Sequence, residues 1–369
     1  MAKRRSEPDA TADVARLDFT VPDDLVASEP PEARGLARNG VRLLVSHRSN
    51  DAITHTTFGA FADFLDPGDL VVVNTSATIN AALPVWDQDG ARLELHLSNH
   101  LDDDRWLVEV RGVTTKGSEP CFAARAGVLA LPGGGRAILI EPHSPANASG
   151  GVRLWKASVS LPLPALEYAD AHGFPIRYGY VPVAWPLTAY QNVYSREPGS
   201  AEMASAGRGF TAELVTELVA RGVQVAPIVL HTGVSSLEEH ELPYAEYYRV
   251  PSPTARLVNV AREDGRRVVA VGTTVVRALE SATSPAGLTR RDEGWTDLVI
   301  MPSDRLAAVT AIVSGFHEPR ASHLAMLNAV ASIGATPERG RRHLAAVYRA
   351  ALEQRYLWHE FGDLHLLMD

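Results

Sequence analysis

The pattern of apolar and polar positions divides the chain into stretches of different period. Residues 1–16 are mostly polar and charged, which predicts a mobile tail, and folding begins near Leu17. A short strand is expected at 42–46 and a helical segment at 58–65. The turn Pro67-Gly68-Asp69 then enters Leu70-Val-Val-Val-Asn74, an unbroken β-branched run of the kind found in strands buried on both faces.

From residue 78 to 160 the text changes to short alternating segments at 92–97, 105–110, 127–131, 136–140 and 152–158, separated by Gly, Pro, Asn and Asp. Such spacing predicts a small antiparallel barrel or sandwich. A proline-rich passage follows, and after Tyr190 helices and strands alternate. Helices are expected at 211–221, 254–263, 274–282, 320–333 and 338–356, with strands at 224–231, 267–271, 296–300 and 306–313. Thr211 is the N-cap and Gly222 the stop of the first helix. Together these elements predict an α/β domain, residues 17–77 and 161–369, with helices packed on a largely parallel sheet. It is interrupted by an inserted small antiparallel β-barrel domain at 78–160.

Composition adds exclusions. Of 369 residues 46% are hydrophobic and 21% charged, as in folded globular proteins, which excludes disorder for most of the length. Nothing approaches the roughly 20 consecutive apolar residues of a membrane helix, and the first residues lack an apolar signal core, so a cytoplasmic protein with no membrane partner is expected. The one cysteine, Cys121, can form neither an internal disulfide nor a multi-cysteine zinc site. A net charge of −9 argues against a surface that is basic overall. The local clusters Arg339-Gly-Arg-Arg342 and Arg153-Leu-Trp-Lys156 read as solvated helix faces.

Candidate chemistry gathers at the ends of expected strands, where open α/β sheets bind ligands. Asn74 ends the buried run. Ala270-Val-Gly272-Thr273-Thr274 places a glycine and two hydroxyls at a strand-to-helix turn, where free N–H groups can hold a carboxylate. Arg277 and Glu280 follow one turn apart, as a surface pair would. His231 and Gly233 close another strand, and Phe316 and His317 a third; either histidine can serve as acid or base near neutral pH. Tyr190, Gln191 and Tyr194 precede a glycine loop running Ser205-Ala-Gly207-Arg-Gly-Phe210-Thr211, which can bring backbone amides and aromatic faces against a base. Walker A, HExxH, G-x-S-x-G and Rossmann fingerprints are absent, and no metal-ligand spacing is present among the 13 histidines.

The order of these motifs resembles the S-adenosylmethionine:tRNA ribosyltransferase-isomerase family of queuosine biosynthesis. The similar text includes Pro67-Gly-Asp-Leu-Val-Val-Val-Asn74, Tyr190-Gln-Asn-Val-Tyr194, Leu230-His-Thr-Gly233, Val271-Gly-Thr-Thr-Val-Val-Arg277 with Leu279-Glu280, Gly294-Trp295-Thr-Asp297 and Phe316-His317. The resemblance implies an α/β domain with an inserted barrel, no permanently bound cofactor, and S-adenosylmethionine as co-substrate. It implies transfer and rearrangement of the ribosyl moiety onto the 7-aminomethyl-7-deazaguanine base of tRNA, giving epoxyqueuosine and releasing adenine and methionine. A monomer is expected on the same ground. Such a site needs a base, for which His231 and His317 are candidates, anchors such as Thr273, Thr274 and Arg277, and aromatic walls such as Tyr190, Tyr194 and Phe210.

The sequence departs from the family at places near these motifs. The family's Asn-Asp-Thr-Arg is Asn74-Thr-Ser-Ala77 here, and a histidine of its Pro-Thr-Ala-Gly-Leu-His-Phe-Thr is replaced by Gly209. A divergent paralogue that acts on S-adenosylmethionine with a small-molecule acceptor or as a lyase, and a catalytically silent binding protein, are the alternatives these losses leave open.

Overall fold

A computed structural model describes residues 17–102, 104–115, 117–144, 146, 150–234, 244–319 and 321–369. The tail expected at 1–16 lies outside the described residues.

The run Leu70–Asn74 is an interior strand, fourth from one edge, of a nine-stranded sheet. Its side chains alternate between two cores. Leu70 and Val72 pack with the helices Ser252–Glu263, Thr273–Ser281, Ser322–Ala331 and Pro337–Glu353 on one face. Val71 and Val73 pack with Phe58, Phe61, Phe210, Leu214 and Leu218 on the other. Burial on both faces is why the run carries no polar alternation.

Around this strand the parallel centre consists of Gln224–Leu230, Val268–Val271 and Ala311–Gly315. The flanks are mixed. Leu364–Met368 runs antiparallel to Ala311–Gly315 and parallel to Arg42–His47, which pairs with the edge strand Ile53–Thr57. On the opposite side Glu246–Val250 and Asp292–Thr296 are antiparallel.

The inserted unit is a closed six-stranded antiparallel barrel. Ala82–Trp86, Arg92–Asp102 and Arg105–Thr114 follow in order, Leu154–Ser160 pairs with the last of them, and Arg136–Pro142 and Gly127–Ala130 return to Trp86. Its core recruits Tyr168 and Ile176 from beyond the last barrel strand. Tyr168 sits on the helix Ala165–His172 and donates a 2.6 Å hydrogen bond to the Pro132 carbonyl.

Some elements differ from the sequence reading. The strand expected at 296–300 lies earlier, at Asp292–Thr296, and the one expected at 306–313 begins later, running Ala311–Gly315. The reason for the second is Glu280, whose carboxylate accepts the N–H groups of Ala307, Ala308 and Val309 that a ladder would otherwise use. Arg277 and Glu280 therefore form no surface pair: Arg277 is buried against Glu246, and each side chain has its own partners. Nor is Arg153 on a solvated helix face. It flanks a barrel strand, buried against Glu109, which also holds Arg111.

Candidate functional site

The parallel strands end along one edge, and the barrel closes over it. The chain crosses there through Ser76–Thr78, paired in parallel with Glu197–Ser200. Between the two units lies a cleft of about 450 Å³, bordered by Thr78 and Arg111 from the barrel side and by Gly272, Thr273, Thr274, Gly315, Phe316 and His317 from the sheet edge. A narrower cavity of about 100 Å³ opens behind Thr273 and Thr274.

The strand-to-helix turn at Gly272 fixes one wall. Its φ of +92° is a conformation that side chains disfavour, and its N–H is tied to the Val313 carbonyl at 2.8 Å. Asn74 braces the same corner from below. Its amide joins the Leu230 carbonyl at 2.8 Å, its oxygen accepts the N–H groups of Leu230 and Ser76, and its nitrogen lies 3.4 Å from the Thr274 hydroxyl.

Two imidazoles stand on the next wall. Phe316 is wedged among Tyr348, Tyr356 and Trp358, which sets the loop that carries His317. His317 Nε2 is 2.7 Å from the Ser314 hydroxyl. Its ring stacks on His323, with centroids 4.4 Å apart and planes 6° from parallel. Burial, reinforced by the neighbouring histidines, holds His317 well below the ordinary imidazole range; burial and the Arg277 charge bring His323 down to about 4. Both rings are neutral at physiological pH.

The rest of the lining is rich in aromatic and acidic side chains. Tyr178 donates to Glu202, and Tyr180 donates to Glu360 at 2.6 Å while stacking on His359 at 4.3 Å. His359 in turn lies 2.9 Å from Glu318, and this partner draws the Glu318 carboxyl below its usual range. Burial pushes Glu360 up. The Arg111 guanidinium lies over the Tyr178 ring.

Of the residues expected from sequence, Tyr190, Ser205, Gly272, Thr273, Thr274, Phe316 and His317 line the main cleft, and Gly233 and Arg277 line the narrow cavity. Others lie outside both. His231 Nδ1 bonds Ser76 Oγ at 2.8 Å, and its ring stacks on Tyr247. Gln191 clasps the backbone of Thr78 through both ends of its amide. Tyr194 and Phe210 are packed edge to face in the core, next to Gly207. Thr211 caps the helix Ala212–Ala220 through the N–H of Leu214. Glu280 holds the 307–309 loop, and Trp295 is exposed on an edge strand against Tyr247. Gly209, which replaces a family histidine, has no room for a side chain: a Cβ there would stand 2.7 Å from the Phe58 ring.

The sequence reading missed Tyr178, Tyr180, Glu202, Glu246, His323, His359 and Glu360. Tyr178-Gly-Tyr180 gave the one available signal, an aromatic pair in proline-rich text. Among the described residues no group of three or more His, Cys, Asp or Glu side chains is arranged to hold a metal ion. No described helix is long and apolar enough to cross a membrane.

Sheet edge, inserted barrel and shared cleft together define an enzyme of the α/β class with a β-barrel insertion. The chain belongs to the family described as queuosine biosynthesis protein, whose pattern it matches over residues 14–367. It is 34% identical over 367 residues to the S-adenosylmethionine:tRNA ribosyltransferase-isomerase of Thermotoga maritima, covering 96% of this chain and 99% of that one. The enzyme of the same name from Symbiobacterium thermophilum is 34% identical over 370 residues, covering 95% and 98%. The crystal structure of S-adenosylmethionine tRNA ribosyltransferase from Thermotoga maritima superposes with a TM-score of 0.50 at 30% identity, covering 95% of this chain and 99% of that one.

Proposed function

We propose that the protein transfers and rearranges the ribosyl moiety of S-adenosylmethionine onto the 7-aminomethyl-7-deazaguanine base of tRNA, giving epoxyqueuosine and releasing adenine and methionine. The observation that carries this reading is the presence, in one cleft, of neutral stacked imidazoles together with aromatic and acidic side chains. The donor is a sulfonium cation with an aromatic base, and the acceptor carries an amine on an aromatic base. Tyrosine faces backed by Glu202, Glu318 and Glu360 suit both, because rings and carboxyl groups favour cations in a place of reduced solvent.

The sulfonium acidifies the adjacent ribose carbon, and the first step is removal of a proton there. A base must be neutral to accept it, and the imidazoles of His317 and His323 are held in that form. Of the two histidines expected from sequence as base candidates, His317 lines the cleft beside His323, whereas His231 is engaged with Ser76 outside it. The barrel over the sheet edge limits water around the reactive intermediates.

Mass-spectrometric measurement of adenine and methionine released from S-adenosylmethionine, with and without tRNA bearing the aminomethyl-deazaguanine base, tests the reading. Release that depends on this tRNA, with a matching mass gain on it, is expected. Release indifferent to tRNA points instead to a small acceptor or a lyase, and no release in either tube points to a binding protein.

A further inference from the structure

The narrow cavity behind Thr273 and Thr274 is a continuation of the main cleft. Thr232, Thr273, Thr274 and His323 border both, so they form a neck between the two spaces. The side of the cavity away from the neck is apolar, with Leu298, Val299, Ile300 and Met326. Its remaining wall is the ion pair of Glu246 with Arg277.

Several features restrict what this space can hold. Its volume of about 100 Å³ has room for roughly seven to ten water-sized groups, since one such group needs ~10–15 Å³. That is the size of an amino acid with a short aliphatic chain. Glu246 is fixed on both oxygens, by the Gly233 N–H at 2.9 Å and by Arg277. Arg277 is held in turn by the carbonyls of Tyr244, Thr296 and Leu298. A rigid buried carboxylate therefore lines a cavity that is also lined by the first turn of a nine-residue helix, where Thr273 and Thr274 offer backbone amides. The buried carboxylate suits an ammonium, the helix turn suits a carboxylate, and the apolar side suits methylene groups.

We infer that this slot receives the amino-acid end of S-adenosylmethionine, its carboxylate at the Thr273–Thr274 turn and its ammonium toward Glu246, so that the sulfonium and adjoining ribose carbon lie in the neck beside His323. The inference rests on the donor named under Proposed function. His323 is then the catalytic base: its ring nitrogen takes the carbon-bound proton, and the C–H electron pair stays on the carbon next to sulfur. The step needs no oxidant or reductant. His317, stacked on His323 and bonded to Ser314, holds the ring in place.

Calorimetric binding to the full chain tests the slot with three compounds: S-adenosylmethionine, its decarboxylated analogue and 5′-methylthioadenosine, which lacks the amino-acid end. The analogue is expected to bind about tenfold or more weakly than S-adenosylmethionine. Ser322, on the slot wall at the start of its helix, gives the matching variant. Ser322→Phe is expected to weaken S-adenosylmethionine by a similar factor while leaving 5′-methylthioadenosine unchanged. His323→Gln is expected to bind S-adenosylmethionine within about threefold of wild type and to lose about a hundredfold or more in turnover. If the analogue binds as tightly as S-adenosylmethionine and Ser322→Phe has no effect while tRNA-dependent turnover persists, the slot assignment is wrong and the proposed function stands. A His323→Gln protein with wild-type turnover removes the base role. If wild type does not bind S-adenosylmethionine at all, both readings fail.

Discussion

His317 and His323 lie face to face, 4.4 Å apart and within 6° of parallel, on the wall of the cleft. Two imidazoles so placed resist protonation, which ties the stability of the fold to pH. In the unfolded chain each histidine titrates near its ordinary value, about 6.5. In the folded protein His323 titrates at about 4 and His317 well below its usual range.

Below pH 6.5 the unfolded state therefore binds protons that the folded state does not, and stability falls as pH falls toward the folded values. Each such group contributes a slope of up to about 1.4 kcal/mol per pH unit across that window. His323→Gln is expected to reduce the loss between pH 6 and pH 5 by about that amount, measured by urea unfolding at the two values. An unchanged slope would mean that the ring is hydrated and charged in the fold.

Glu280 shows how a residue in a strong motif can serve the framework. Its Oε2 accepts the Ala307 N–H, and its Oε1 accepts those of Ala308 and Val309. Glutamine retains one oxygen and turns an NH₂ group toward a donor at the other. Glu280→Gln is expected to cost about 1.5–3 kcal/mol, the range for one hydrogen bond to a charged group. Hydrogen exchange of the 307–309 amides should rise with it. Unchanged exchange there would show that the loop holds itself.

Gly209 tests whether a lost family histidine has been built over. A Cβ at this position meets Phe58 Cδ1 at 2.7 Å and Leu364 Cδ1 at 3.2 Å. Gly209→Ala is expected to destabilise by about 1–3 kcal/mol through overpacking. Adding Phe58→Leu should return part of that loss, because the two sites are in contact and non-additive. Strict additivity in the double mutant would mean that the ring is not what closes the site.

The sheet centre was legible because its strands are buried on both faces: Leu70–Asn74 and Val268–Val271 announce themselves by continuous apolar text. The edge strand Ile53–Thr57 has mostly polar, half-exposed positions, and Leu364–Met368 is too short an apolar run to separate strand from helix by period. At the site, residues on strand ends were legible because topology puts strand ends together. Thr273, Thr274 and His317 stand at such strand ends and line the cleft. Tyr178, Glu202, His323, His359 and Glu360 come from loops and a helix start, and only the docking of barrel on sheet brings them to one cleft. No spacing along the chain encodes that meeting. Tyr194, Phe210 and Glu280 stand in equally strong motifs, yet their side chains pack in the core or hold a loop away from the cleft.

Glu360 gives the last test, because its protonation must respond to a cationic ligand. Burial raises its carboxyl pKa, while the Tyr180 hydroxyl, donating at 2.6 Å, opposes that rise. A sulfonium or ammonium entering the cleft favours the ionised form, so the carboxyl pKa falls on binding and a proton is released. Affinity for S-adenosylmethionine should accordingly increase with pH until Glu360 is ionised in the free protein, by at most about tenfold per pH unit for one proton. Calorimetry in two buffers of different ionisation enthalpy reads the released proton directly. Glu246 in the narrow cavity is also raised by burial and contributes to the total. The difference between wild type and Glu360→Gln isolates the share of Glu360. If the two proteins release the same number of protons, the cation does not bind against this wall, and the aromatic and acidic face of the cleft serves the acceptor alone.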